Sequence, residues 1–460
     1  MHTQKTSKSR LSSILGRAEK FDPVTTFPTV DELLSDFDDR AEREPEVHKR
    51  RIGTSRLGEA IHEFIIGDGP RHVIVVGGVH PNEPIGFHTV ARLADSLVDD
   101  PSTAMGLTWH IVPCIDPDGT RLNEGWFSDP SQRTHYARHF YRPAPDEQIE
   151  WSFPFTYKRA HFDAVIPETF ALMRLIDETS PILLVGLHNA ELGGVYYYLN
   201  RQLAGAVDSL HAIPAHFGLP LEAGEPESAD SHAYGEAVYH APLSLERYDD
   251  LEKQGLDPVT IISGGSTADY VTRHGSLTFV AELPYWTHPE SQDIAPSGRS
   301  YADVLEEKAA GLRGLGEELQ RIFDAAAPDL HQDTPFLRAS SAFVPLMSEA
   351  GDAEARRAAA PESHREATVA EVFTNDDLVR CFRLRYGGML LRALNAEVCA
   401  GTAHPRLRRL CNDFERTYES WLAEADSVGD LTTLPIEQLV GVQFASTLEI
   451  AALLVDENDQ

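Results

Sequence analysis

The chain has 460 residues, and its 72 acidic against 40 basic residues give a formal charge of −32. Such a surplus of acid argues against a nucleic-acid partner, because phosphate binding needs a basic surface. The 42% hydrophobic, 8% aromatic and 24% charged shares are those of a folded soluble chain, so the acidity decorates a core and does not mark disorder.

The first residues, MHTQKTSKSR, carry basic side chains with no apolar run behind them, and no later stretch offers ~18 uninterrupted apolar residues. The expectation is a cytoplasmic protein with no membrane partner. Residues 1–50 read as a polar acidic leader outside the core, with one solvated helix over 30–44. From Ala60 onward, short β-rich runs alternate with helical ones. HVIVVGG (72–78), LTWHIVPC (107–114), PILLVGLH (181–188), VYYYLN (195–200) and SLTFVAEL (276–283) are predicted strands. Helices are predicted over 84–97, 168–178, 202–217 and 268–274. This alternation predicts an α/β fold, with a mixed, mostly parallel twisted sheet flanked by helices. From Tyr301 the pattern is helical, over 301–326, 368–385, 388–400, 406–423 and 435–454, while 348–366 reads as a charged helix or a linker. The expected organisation is a leader (1–50), a catalytic domain (51–326) and an additional all-α C-terminal region (327–460). Cys114, Cys381, Cys399 and Cys411 form no CxxC pair and are expected to be reduced thiols.

The chemistry concentrates where the predicted strands end. In GGVHPNEPIG (77–86), His80 and Glu83 follow a buried strand, the place where ligands gather in open α/β sheets. An imidazole and a carboxylate three residues apart suit zinc, although one HxxE pair is weak evidence and His188 with Glu191 forms a second. His188 also ends a predicted strand, so it can share a rim with His80. Three protein ligands and a water would make a catalytic zinc site. Glu282 closes SLTFVAEL, and a buried strand tolerates a carboxylate only if it is paired, ligated or used. Its functional reading is a general base.

These tracts, taken together and in order, resemble the zinc metallocarboxypeptidases of the carboxypeptidase A-like superfamily. The HxxE at His80 and Glu83, the DPDG turn (116–119), the PETFALM helix (167–173), the strand-end His188, and SGGS (263–266) followed by Glu282 each match a family motif, over residues 71–284. The resemblance implies one zinc ion held by His80, Glu83 and His188, with Glu282 as the base that activates a zinc-bound water. It implies Arg121 as the group that polarises the scissile carbonyl, and removal of a C-terminal amino acid from a peptide or peptide-like substrate. HYARHF (135–140) is the best match to the carboxylate-gripping Asn-Arg pair; it supplies Arg138, with Ala137 in place of Asn and Arg142 as a rival. Asn123 and Thr267 are counted with Arg138 as substrate-binding, Thr267 at the position that sets side-chain preference. The family tyrosine falls on Thr260, so either a tyrosine from the preceding segment, such as Tyr239 or Tyr248, replaces it or that contact is missing.

The aspartoacylase and succinylglutamate desuccinylase group, which shares the His, Glu and Arg constellation, is the nearest alternative, with an N-acyl amino acid as substrate. A non-catalytic zinc or peptide-binding scaffold is a further one. The helical third is expected to be a lid, a partner dock or a homo-oligomer interface. A positive centre inside a negative shell predicts that neutral or basic peptides are preferred.

Overall fold

The computed structural model describes residues 2–225 and 231–458. Its nine-stranded sheet contains β1 (His48–Thr54), β2 (Ala60–Ile66), β3 (Arg71–Val76), β4 (Leu107–Val112), β5 (Leu183–Leu187), β6 (Tyr196–Leu199), β7 (Ala233–Gly235), β8 (Val238–His240) and β9 (Leu277–Glu282). The spatial order is β1-β2-β4-β3-β5-β9-β6-β8-β7. Strands β4, β3, β5 and β9 run parallel as neighbours, while β1, β2 and β6 pair antiparallel at their flanks. Each predicted strand lies within two residues of its expected span. Their near-continuous apolar runs follow from burial on both faces. Val73 and Val75 point into one core with the helices Ile85–Asp99, Ala206–His216 and Ile436–Asn458; Ile74 and Val76 point into a second with the helices Pro167–Thr179 and Thr267–Thr272.

The leader and the helical third are not separate bodies. The helix Val30–Arg43 buries Val30, Leu33 and Phe37, an i, i+3, i+7 stripe, and sets Phe37 4.8 Å from the Phe64 ring. The leader is therefore part of the core, and the expectation that it lies outside is corrected. Leu319, Met389, Trp421 and Leu448 likewise share one apolar core with Val75 and Phe87. Residues 327–334 separate two helices, Tyr301–Ala326 and Pro335–Ala358, and Leu319 of the first and Phe343 of the second belong to that same core.

The last helix, Ile436–Asn458, is long and apolar enough over Ile436–Glu457 to cross a bilayer by length and hydropathy, yet 89% of that window is buried inside the fold. It is a core helix. Its polar residues Gln443, Ser446, Thr447 and Glu449 are fully buried, and Glu449 takes Arg10 (3.0 Å) from the helix His2–Ala18 and Ser209 (3.1 Å). Buried polar groups survive only with partners, so these contacts fix the helix in one register.

The helices predicted over 368–385 and 388–400 are one helix, Val369–Cys399. Gly387 and Gly388 do not break it. A Cβ on Gly387 would meet the Trp421 ring at 2.8 Å, and one on Gly388 would meet the Tyr418 hydroxyl at 2.6 Å, so the pair is there for close helix packing.

This helix is also fastened to the sheet by buried charge. Arg133 makes paired bonds to Asp377, both 2.7 Å, and one to Glu191 at 2.6 Å; Arg385 donates to the other Glu191 oxygen at 2.6 Å. Removing one member of such a pair leaves a buried charge without its counter-ion. Asp377→Ala is expected to lower stability in urea unfolding by about 3–5 kcal/mol. An Arg133→Met/Asp377→Leu double variant should lose clearly less than the sum of its single changes.

Candidate active site

The site forms at the carboxyl ends of three neighbouring parallel strands, β3, β5 and β9, which carry His80, His188 and Glu282 to one edge of the sheet. All the predicted ligands and the predicted base are brought together and buried: His80 8%, Glu83 3%, His188 3% and Glu282 6% exposed. His80 Nδ1 stands 3.1 Å from each Glu83 oxygen and 3.2 Å from His188 Nδ1, and His188 Nδ1 stands 3.2 Å from Glu83 Oε2. Glu282 Oε1 is 3.9 Å from His188 Nδ1.

That triangle tests the fit of a zinc ion. A tetrahedral ion with bonds of about 2.0–2.1 Å places its ligands roughly 3.3 Å apart. The two Nδ1 atoms and Glu83 Oε2 have nearly that spacing, and a neutral imidazole and a carboxylate are zinc donors. Burial disfavours charge on His188, yet the carboxyl groups of Glu150, Glu83 and Glu282 outweigh it and push its pKa up to about 10. His80 is pushed down by burial and by the Arg142 charge. Burial alone would raise the Glu83 carboxyl, but His80, Arg142 and His188 hold it well below the usual carboxylate range. Three carboxyl groups around two imidazoles make an environment suited to a cation.

Glu150 was not legible as a site residue. Its Oε2 lies 3.3 Å from His80 Nε2 and 3.8 Å from His188 Nε2, and those buried nitrogens have no hydrogen-bond partner of good geometry among the described residues. His80, Glu150 and His188 therefore form a second possible donor set, with the Glu150 oxygen 3.3 and 3.8 Å from the two Nε2 atoms. The tighter spacing on the Nδ1 side favours Glu83 as the ligand and leaves Glu150 as the carboxylate behind the rings, an arrangement that orients ligating histidines.

The SGGS segment explains how Glu150 arrives. Phe153 and Gly265 exchange main-chain hydrogen bonds of 3.2 and 2.9 Å, and a Cβ on Gly264 would stand 2.3 Å from the Trp151 carbonyl oxygen. Only glycine lets the backbone approach so closely. Ser266 then caps the helix Thr267–Thr272. Thr267 lines a cavity of about 10 Å³ with Glu150, His188, Thr278 and Val280.

Arg121, Arg138 and Asn123 are not brought to this cluster. Arg121 ends the short helix Pro117–Arg121 and turns onto Glu59 (2.9 Å) and Asp31 (2.6 Å), the latter delivered by the leader helix. Arg138 makes paired 2.6 Å bonds to Glu419 at the surface. The fully buried Asn123 donates to the main-chain oxygens of Gly119 and Tyr141 and accepts from Tyr141 N, so it fastens two loops together. The structure thus gives each of these three side chains a partner outside the cluster. Arg142 is the arginine in the cluster. It donates to Glu83 Oε1, and to Asn82 Oδ1 at 3.1 Å.

Asn189, next to His188, donates its N–H to Glu83 Oε2 at 3.2 Å and accepts from Tyr285 OH at 3.1 Å. Tyr196 pairs directly across from Glu282, and its ring begins an aromatic strip with Tyr198 (5.7 Å) and Tyr239 (6.4 Å). Tyr197 points to the opposite face and stacks on Phe279. Tyr248 is fully buried beside Tyr157. The side chain of Thr260 lies outside the described residues.

A family model described as zinc carboxypeptidase matches residues 33–303. Among solved structures, carboxypeptidase A from Helicoverpa armigera is 14% identical over 78% of this chain and 82% of that one, with a TM-score of 0.36. Bovine thrombin-activatable fibrinolysis inhibitor, in complex with a tick carboxypeptidase inhibitor, is 12% identical over 55% and 86%, with a TM-score of 0.37. A metallo-carboxypeptidase from Burkholderia cenocepacia is 17% identical over 56% and 60%, with a TM-score of 0.33. Among curated proteins none matches the sequence.

Proposed function

This chain belongs to the zinc carboxypeptidase family, and from that premise we propose that it removes the C-terminal amino acid from a peptide or peptide-like substrate. The observation that carries the reading is the convergence of His80 Nδ1, Glu83 Oε2 and His188 Nδ1 to 3.1–3.2 Å, with Glu282 beside them. His80, Glu83 and His188 would hold the ion. When bound, zinc polarises a carbonyl and lowers the pKa of a water toward ~7.

Glu282, at the end of β9, accepts a proton and returns it to the leaving amine. Glu150 keeps both imidazoles turned so that Nδ1 faces Glu83. Arg142, the rival of Arg138 in the sequence, takes the clamp role, because its guanidinium reaches the cluster at Glu83 and can meet a carboxylate with two parallel N–H groups.

The test supplies the zinc-loaded protein with dipeptides varied at the C-terminal residue and with N-acyl amino acids, in the presence and absence of a chelator. Release of free C-terminal amino acid, stopped by the chelator, is the expected result. Release of an acyl acid alone would move the reading to the N-acyl amino acid hydrolases. Arg142→Met is expected to raise KM for substrates with a free carboxylate by about 10- to 100-fold, the worth of a charge-assisted hydrogen bond, and to leave C-terminally amidated analogues little changed. An equal effect on both would remove Arg142 from the clamp role.

A further inference from the structure

We infer that the C-terminal helical region, beyond the residues matched by the family model, is part of the metal centre, and that Gln443 is a positioning residue for His188. This inference rests on the zinc site proposed above. Gln443 is fully buried on the helix Ile436–Asn458. Its Nε2 donates to the His188 main-chain oxygen at 3.1 Å, and its Oε1 accepts from the Thr89 hydroxyl at 2.7 Å. The orientation of the amide is forced, since the His188 carbonyl can only accept.

The two contacts are placed with consequence. His188 is the first residue past β5, where the strand ladder no longer fixes the backbone. Thr89 sits one turn into the helix Ile85–Asp99, which begins two residues after Glu83. One amide therefore ties the carrier of one ligand to the carrier of another. Three residues beyond His188 the same loop is held a second time, where Glu191 takes Arg385 and the Cys381 thiol from the helix Val369–Cys399. Between these anchors Asn189 donates to Glu83. The ligand-bearing turn is gripped by two C-terminal helices, and ligand geometry held to a fraction of an ångström depends on such supports.

The experiment measures the zinc dissociation constant of the full-length protein by competition with a chromogenic chelator, with thermal midpoint, kcat and KM alongside. Gln443→Leu removes both bonds, Gln443→Glu keeps the acceptor for Thr89 and removes the donor to His188, and Thr89→Val removes the anchor without touching the helix. Ser446→Ala, buried near Tyr197 on the same helix, is the packing control. The Gln443 variants are expected to weaken zinc binding about 10- to 100-fold and to lower kcat with KM little changed; Gln443→Leu should keep the thermal midpoint near that of Ser446→Ala, while Gln443→Glu, which buries a carboxylate against a carbonyl oxygen, should lower it. Thr89→Val should shift zinc affinity in the same direction, and it carries the test if the Gln443 variants fail to fold. Zinc affinities within twofold of wild type in these variants would overturn the inference. Failure of the wild-type protein to bind zinc would instead overturn the site itself.

Discussion

Glu282→Gln is expected to bind zinc as the wild-type protein does and to lower kcat by roughly 10²- to 10⁴-fold, the usual worth of a positioned acid–base group. The substitution is isosteric, so the end of β9 and its pairing with Tyr196 should persist. It removes proton-accepting capacity at a group 3.9 Å from His188 Nδ1. Among the described residues no neighbour is placed to take over. Glu83 is engaged by both imidazoles and Arg142, and Glu150 lies against the Nε2 atoms. The measurement is kcat on a dipeptide, with zinc content determined on the same sample. Full zinc with most of the activity retained would show that Glu282 is not the base.

The elements that carry the ligands were legible because local signals and global placement agree. An apolar run that ends abruptly in His80 or His188 reads as a strand reaching the sheet rim, and Glu282 stands out as an acid in an apolar strand. What was not legible depends on segments distant in sequence. Arg121 looked available because its partner Asp31 lies 90 residues away on a helix expected to be solvated. Glu150 reaches the histidines only because Phe153 pairs with Gly265. Arg133 gives no sign in sequence of its bond to Asp377, 244 positions on. Gly387 and Gly388 read as a helix break because a sequence does not display the Trp421 and Tyr418 side chains that need the space. Positions whose role follows from their own strand or helix could be read; positions whose role follows from long-range pairing could not.

The ligand set makes the other large prediction. His188→Ala is expected to leave the protein folded and to abolish turnover by losing the ion. Structural zinc sites bind with about 10–16 kcal/mol over four ligands, so one ligand is worth roughly 3–4 kcal/mol, or roughly 10²–10³-fold in affinity. Folding should survive, because the sheet core from Val73 to Val76 and from Leu183 to Leu187 is apolar and closed by helices without any contribution from the ion. Circular dichroism and metal analysis after dialysis check the two halves of this expectation. Companion variants decide between the donor sets. With the ion on the Nδ1 side, Glu83→Gln should lose zinc as severely as His188→Ala, while Glu150→Gln, acting only through the orientation of the rings, should cost about 10- to 100-fold in affinity. The reverse ranking would place the ion among His80 Nε2, His188 Nε2 and Glu150, and Glu83 would then be the residue that holds the rings from behind.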